Sequence, residues 1–299
     1  MSISLRIPGL VTLVIVRTPS EIGQINDARG VDRLMSGRGG LVNRMIAGKL
    51  AVFKTSAGLA WPAFAARADT ARSARQDELE SRLSRDTPDL IARIAPEIAA
   101  LAACVRDGSS ADTIGMSVQQ AIGRLFFLDY VADADSYDAA RTLSKWPSAG
   151  PLTSWRLRRS GKLQRAINLV LERARGDTAC AHATALAMHN IVDSVVLMQG
   201  LARKSGTSAK LSAADAVKQV LRAPPRIIRE ARDDILVGDT KVRARSLVMM
   251  SVETARKASP NDGFGFFADH WNRCPAHAFV PSLLARIWEV AAVGARAGQ

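Results

Sequence analysis

The sequence predicts a mainly α-helical protein with a minor β component. Three observations carry that expectation. Hydrophobic residues recur mostly three and four positions apart, the spacing that keeps one helix face apolar. Alternating β-branched runs are few. A hydrophobic content of 47% over 299 residues supplies a substantial core, and the whole span 1–299 reads as one domain.

Residues 10–17 predict a strand. The apolar stretch there is too short to cross a bilayer, follows Pro8 and lacks a small-residue cleavage site, so no membrane anchor is expected. Thr18-Pro19-Ser20-Glu21 opens a short helix through Ile22 and Ile25. Residues 30–58, with Gly37, Gly39, Gly40, Gly48 and Gly58, read as a long irregular connection with at most a turn or two of helix; no Gly-Lys-Ser/Thr ending makes it a phosphate loop. Residues 65–83 predict a helix that carries Arg67, Arg72, Arg75 and Arg82. Asp86-Thr87-Pro88 caps another that runs toward Val105 with Ile91, Ile94, Ile98 and Leu101 inward and a kink at Pro96. Residues 117–129 add an amphipathic helix through Val118, Ile122 and Leu125, and Trp146-Pro147-Ser148-Ala149-Gly150-Pro151 is the clearest break, read as an intradomain loop. Residues 162–175 and 177–203 are consecutive helices punctuated at Gly176. The second is apolar on most sides, which places it at the centre.

The net charge of +13 and pI near 10.5 attract anionic partners, among which charge alone does not choose: nucleic acid, acidic proteins, anionic lipid or a dianionic cofactor. No Lys/Arg run is interleaved with aromatics as single-strand binding requires, and the arginines sit in an alanine-rich chain, so no nucleic acid is expected. Cys104, Cys180 and Cys274 are odd in number and widely spaced, without a paired-cysteine zinc pattern; a reduced, cytoplasmic setting follows. His182 with His189, and His270 with His277, are each seven apart, two helical turns and too far to chelate one metal. No Gly-x-Ser-x-Gly elbow supports a hydrolase.

The densest chemistry lies in Phe267-Ala268-Asp269-His270-Trp271-Asn272-Arg273-Cys274-Pro275-Ala276-His277-Ala278-Phe279. Pro275 fits a first helical position, and Phe279, Leu283, Ile287 and Val290 keep one face apolar, so Cys274 is expected at the N-cap of a helix. A thiol there feels the positive helix end and free N–H groups, with Arg273 adjacent, and its thiolate is favoured. Such a sulfur is prepared to bind a metal. The stretch resembles the haem-ligand loop of the cytochrome P-450 superfamily, where an aromatic residue seven before the cysteine and a small residue two after it frame the iron ligand; Phe267 and Ala276 occupy those places. His270 stands where the family has glycine, and Asn272 where it has a cationic residue that holds a haem propionate.

Upstream, Val217 to Pro225, then Arg226 to Asp234, Val237-Gly238-Asp239 and Ser246-Leu247-Val248 resemble the same family's Glu-x-x-Arg helix, Pro-Pro turn, propionate arginine and strand pair joined at Gly-Asp. Here Gln219 takes the place of the glutamate. It is expected to share a helix face with Arg222, with the bidentate, charge-assisted part of the pair gone. The bridge from Lys257 to Phe267 is shorter than the family's meander, few residues follow the last helix, and the first sheet is represented by little more than one strand. The resemblance covers most of the chain from Thr18 onward, best over 217–287, and implies a soluble bacterial type abbreviated at both ends and in the meander.

That resemblance implies a haem-thiolate monooxygenase: heme b with its iron on Cys274, Phe267 framing the ligand, and Arg229, Arg72 and Arg75 toward the propionates. It implies oxidation of a small apolar organic substrate with O2, with electrons from a separate acidic ferredoxin or flavoprotein suited to a basic face. For the alcohol that delivers protons, two positions stay open: Thr184 with His182 as relay, or the pair Asp193 and Ser194. Asp177-Thr178 matches the acid-alcohol letters but reads as a helix start. The alternative from another class is a degenerate homologue that keeps the helical fold and serves as an accessory or interaction protein.

Overall fold

The computed structural model describes residues 3–33, 37–204, 211–259 and 263–297. In chain order the first elements are β1 (Ile3–Ile7), β2 (Val11–Val16), α1 (Pro19–Asp27), β3 (Val31–Asp32), α2 (Leu41–Leu50), α3 (Thr70–Arg85), α4 (Thr87–Arg93), α5 (Ala95–Asp107) and α6 (Ala111–Phe126). There follow α7 (Ala134–Lys145), α8 (Pro151–Arg159), α9 (Lys162–Arg173), α10 (Thr178–His182), α11 (Met188–Lys204) and α12 (Ala213–Val220). The chain ends with β4 (Ile227–Ala231), β5 (Ile235–Val237), β6 (Thr240–Val242), β7 (Leu247–Met250), α13 (Val252–Ala258) and α14 (Phe279–Ala297). Helix dominates and β is minor, as the hydrophobic spacing predicts. These elements fall into two compact units, residues 1–77 with 223–277, and residues 78–222 with 278–299.

The first unit is built on a five-stranded sheet of order β1-β2-β7-β4-β3. One strand is what its sequence predicts at the N-terminus, and the structure corrects this: β1 pairs antiparallel with β2, Ile3 opposite Ile15. The first strand of the hairpin carries its own signal, since Ile3-Ser4-Leu5-Arg6-Ile7 alternates apolar and polar residues before Pro8-Gly9, although every residue of β1 is exposed. β2 runs parallel to β7, with Val14 opposite Val248 and Val16 opposite Met250. Those four side chains, with Ile22 and Ile25 of α1, belong to the unit's core, which Val31, Val237, Val242 and Phe267 extend. α1 starts at a capping box in which Thr18 Oγ1 accepts from the Glu21 N–H while Glu21 Oε2 accepts from the Thr18 N–H. The glycine-rich stretch holds a ten-residue helix, α2, where at most two turns are expected. Gly40 permits it, since a Cβ there would lie 2.1 Å from the Leu10 carbonyl oxygen, and the N–H groups of Leu41 and Val42 donate to the carbonyls of Gly9 and Leu10. Gly238, with φ of 54°, turns β5 into β6 at the expected Gly-Asp corner.

In the second unit α5, α6 and α14 pack with α11. Pro96 acts more strongly than a kink: α4 ends at Arg93 and α5 begins at Ala95, with Ile94 between them. The helix expected from residue 65 starts at Thr70, with its four arginines nearly balanced by Asp77, Glu78 and Glu80, and α6 starts at Ala111, capped by Ser110. α10 leads from its N-cap Asp177 through a π-helical turn at Ala183–Ala187 into α11, giving the apolar central helix expected from the sequence. The helix before Pro224 departs from expectation. α12 ends at Val220 and Leu221 is already its C-cap, so Arg222 is off the helix while Gln219 faces solvent. The two therefore do not share a helix face.

Candidate functional site at the Cys274 loop and the central helix

Cys274 is not a helix N-cap. α14 begins at Phe279, and residues 275–278 form a turn in which the His277 N–H donates to the Cys274 carbonyl at 3.1 Å. An i to i+3 bond at this point closes a turn instead of the first turn of an α-helix. Cys274 is instead placed by the loop before it. Its N–H donates to the Phe266 carbonyl at 2.8 Å, His270 N–H to Phe267, and Arg273 N–H to His270, so the chain from Phe266 folds back on itself at Cys274. Phe267 is buried at 5% exposure with φ of 54°, a left-handed backbone that a bulky residue seldom adopts. α1 anchors the loop from below: Asn272 Nδ2 donates to Asn26 Oδ1 at 3.0 Å, and His270 Nδ1 lies 3.0 Å from Asp27 Oδ1. The two residues that depart from the family pattern are thus the ones holding the loop to α1. Of the cysteines, Cys104 and Cys180 are buried and Cys274 is half-buried; burial pushes the Cys180 thiol up to about 12, which keeps it protonated.

Trp271, in the same loop, collects arginines. The guanidinium carbons of Arg33, Arg67 and Arg72 lie 4.7, 4.8 and 5.3 Å from its ring centre, within cation–π reach. Arg33 donates to the Pro62 carbonyl at 2.8 Å, Arg67 to Ala28 at 2.6 Å, and Arg72 to Gln76 Oε1 at 2.6 Å. Gln76 in turn donates to the Arg273 carbonyl, joining α3 to the loop. Asp32, Asp69 and Asp77 act on these cations, and each already has a partner: Asp69 accepts from the Arg72 N–H and Asp77 pairs with Arg273. Asp32 already accepts from the Arg67 N–H and pairs with Arg232 at 3.0 Å. Burial, with Arg229 and Arg72 as like charges, lowers Arg33 to about 8; burial lowers Arg229 to about 10. The Nε atoms of Arg33, Arg72 and Arg229 are sealed from solvent and find no acceptor among the described residues. Buried cations with orphaned donors call for an anion, and the carboxylates of a haem fit that demand. Of the predicted propionate arginines, Arg72 and Arg229 belong to this cluster, while Arg75 is half-buried one turn further along α3.

The candidate proton-delivery residues lie in the second unit. Thr184 is fully buried inside the π turn, where its Oγ1 donates to the Cys180 carbonyl at 2.8 Å and its own carbonyl accepts from Gln119 Nε2 at 3.1 Å. A π turn widens the helix and is frequent at functional positions. His182 is half-buried just before it. Asp193 and Ser194 point apart: Asp193 is exposed and Ser194 is buried. Ser194 Oγ donates to the Asn190 carbonyl at 2.8 Å and accepts from the Arg222 N–H at 3.1 Å, a structural use of that hydroxyl. The structure thus gathers Cys274, Phe267, Arg72 and Arg229 in one unit and Thr184 and His182 in the other.

Sequence reading missed Arg33, Arg67, Gln119 and the π turn. Arg33 and Arg67 sit in irregular chain, where no periodicity marks a buried face. A usable signal was Trp271 itself, an aromatic amid the loop of a chain with +13 charge.

No family model matches the chain, and no curated protein does. Solved structures do. CYP175A1 from Thermus thermophilus is 14% identical with a TM-score of 0.61, covering 97% of this chain and 83% of its own. A variant of cytochrome P-450 OleT in complex with arachidonic acid is 10% identical with a TM-score of 0.62 over 97% of this chain and 83% of its own. Cytochrome P-450EX alpha with myristic acid is 12% identical with a TM-score of 0.61, covering 96% and 82%. The fold of this chain is cytochrome P-450-like, mainly α with minor β.

Proposed function

We propose that this chain, with its cytochrome P-450-like fold, forms one domain that binds heme b through Cys274 and oxidises a small apolar organic substrate, drawing electrons from a separate acidic donor. One observation carries the reading: Arg33 and Arg72 are buried, Arg229 is half-buried, and the Nε donors of all three are sealed from solvent without an acceptor among the described residues, in the unit whose loop bears Cys274. Thiolate-bound haem supplies oxygen activation. The chain supplies the rest. Arg72 and Arg229, with Arg33, hold the two propionates and in doing so offset their own desolvation. Phe267 keeps water from the sulfur side, since it is buried and adjoins the turn that fixes Cys274. Thr184 Oγ1, freed from its bond to Cys180 by a rotamer change, offers a proton, and His182 replenishes it. The +13 charge steers an acidic ferredoxin or flavoprotein toward the molecule.

The test is optical. Purified protein loaded with haem, reduced and exposed to carbon monoxide, should give the red-shifted Soret band of thiolate ligation, and Cys274→Ala should remove it. Protein that stays colourless after expression with a haem precursor and after haem titration sinks the reading. A second reading, a non-catalytic relative serving as an accessory protein, is favoured by Gln219: it is exposed on a helix that stops before Arg222, so the pair expected there does not form. Haem binding without turnover by any donor or peroxide would favour this second reading.

A further inference from the structure

Glu253 and Arg256 lie three apart on α13, where residues share a face. Arg256 Nε donates to Glu253 Oε2 at 3.1 Å and Nη2 donates to Oε1 at 3.0 Å. The side chains are largely shielded, at 15% and 20% exposure. A two-point pair of this kind fixes the plane of the guanidinium and with it the direction of the arginine stem. That stem rests on the 3-10 turn Phe264–Phe266: a Cβ at Gly265 would lie 3.1 Å from Arg256 Cδ and 3.0 Å from Ala223 Cβ. The last residue of the turn, Phe266, offers the carbonyl that receives the Cys274 N–H at 2.8 Å. The next residue, Phe267, sits at φ of 54°, a conformation that persists only where its surroundings enforce it.

We propose that the Glu253–Arg256 pair is the brace that positions the Cys274 sulfur, acting through Gly265 and the Phe266 carbonyl. Glu253 and Arg256 are positioning residues. The proposal deepens the haem-thiolate reading and rests on it for its purpose, but the mechanical link exists in the protein alone. Losing the two-point geometry frees the Arg256 stem, lets the turn shift and weakens the Cys274 bond to Phe266.

The link is tested in the full chain without haem, by the rate at which iodoacetamide modifies Cys274, read by peptide mass spectrometry across pH. Glu253→Gln and Arg256→Lys should each change that rate by about tenfold, the scale on which a lost outer partner affects a ligand site. The reversed pair, Glu253→Arg with Arg256→Glu, should recover most of the wild-type rate. Folding is checked by far-UV circular dichroism, and if Glu253→Gln does not fold, Arg256→Lys, which keeps the charge, decides. Cys274 rates within about twofold of wild type in folded variants overturn the proposal, as does failure of the reversed pair to restore them. In haem-loaded protein the single variants should move part of the reduced carbonyl spectrum from the thiolate to the neutral-thiol form. A wild-type chain that takes no haem removes the functional reading and leaves the alkylation result to judge the brace.

Discussion

Cys274 and Phe266 are joined through their backbones, the Cys274 N–H donating to the Phe266 carbonyl at 2.8 Å. The bond closes the loop that contains Phe267, and the closure requires Phe267 to turn left-handed. The loop therefore holds strain of roughly 1–3 kcal/mol, opposed by burial of the Phe267 ring among the core residues of its unit.

That opposition gives the first prediction. Phe267→Ala loses the ring but keeps the strained backbone, and should cost about 3–5 kcal/mol. Phe267→Gly loses the same ring and relieves the strain, so it should be more stable than the alanine variant by about 1 kcal/mol. Glycine is usually the worse replacement. Denaturant unfolding of the two variants checks the order, and an alanine variant at least as stable as the glycine one would contradict the strained turn.

A second prediction concerns Arg33. Its folded value near 8 lies below the ordinary arginine range, so at pH above about 8 the unfolded chain binds more protons than the folded one. Stability without a bound anion should then rise with pH through that window. Haem, or another dianion in the cluster, should remove the slope by favouring the charged form. Arg33→Met should stabilise the anion-free protein and weaken haem binding, because a buried unpaired cation is exchanged for an apolar side chain. Urea titrations near pH 7 and 9, with and without haem, measure both effects; an anion-free stability that falls with pH would reject the account.

These residues show where the sequence was informative. The capping box at Thr18 and Glu21, the break at Trp146 to Pro151 and the apolar run beyond Asp177 are local patterns, and local patterns are legible. Cys274, Phe267, Arg72 and Arg229 could be named because they lie in stretches with recognisable order. The helix expected to start at Pro275 shows the limit. Proline tolerates a first helical position but equally tolerates a turn, and which one forms depends on the Phe266 carbonyl and the α1 side chains Asn26 and Asp27, remote in sequence. The family's acid–arginine spacing falls at Gln219 and Arg222, where the acid is an amide. The chain places such a pair at Glu253 and Arg256, and only the shielding of those side chains distinguishes it from an ordinary surface pair.

His189 gives a third prediction, in the second unit. Burial holds its imidazole below the ordinary value, with Tyr137 tilted against it at 6.5 Å between ring centres. The folded state prefers the neutral ring, so the contribution to stability is full above the ordinary histidine range near 6.5 and is lost as pH falls through it. His189→Phe should flatten stability between pH 7 and 5 relative to wild type. Parallel slopes in the two proteins would assign the acid sensitivity to other groups.

The last prediction concerns what holds the π turn open at Thr184. Gln119, at 1% exposure, donates from Nε2 to the carbonyls of Ser136 and Thr184, both at 3.1 Å, and accepts from Ser136 Oγ at 3.0 Å. A π turn shifts the backbone ladder by one residue, and the Gln119 amide supplies the Thr184 carbonyl with a donor from another helix. Gln119→Leu keeps the volume and strands two buried acceptors, which should cost about 2–4 kcal/mol. Thr184→Val removes the Oγ1 bond to the Cys180 carbonyl and the hydroxyl's side-chain hydrogen bonds with Tyr130 and Cys180, and should cost about 1 kcal/mol. Amide exchange around 183–187 should accelerate in the glutamine variant far more than in the threonine variant. If Gln119→Leu exchanges like wild type there, the turn is held by packing alone, and the geometry at Thr184 owes nothing to Gln119.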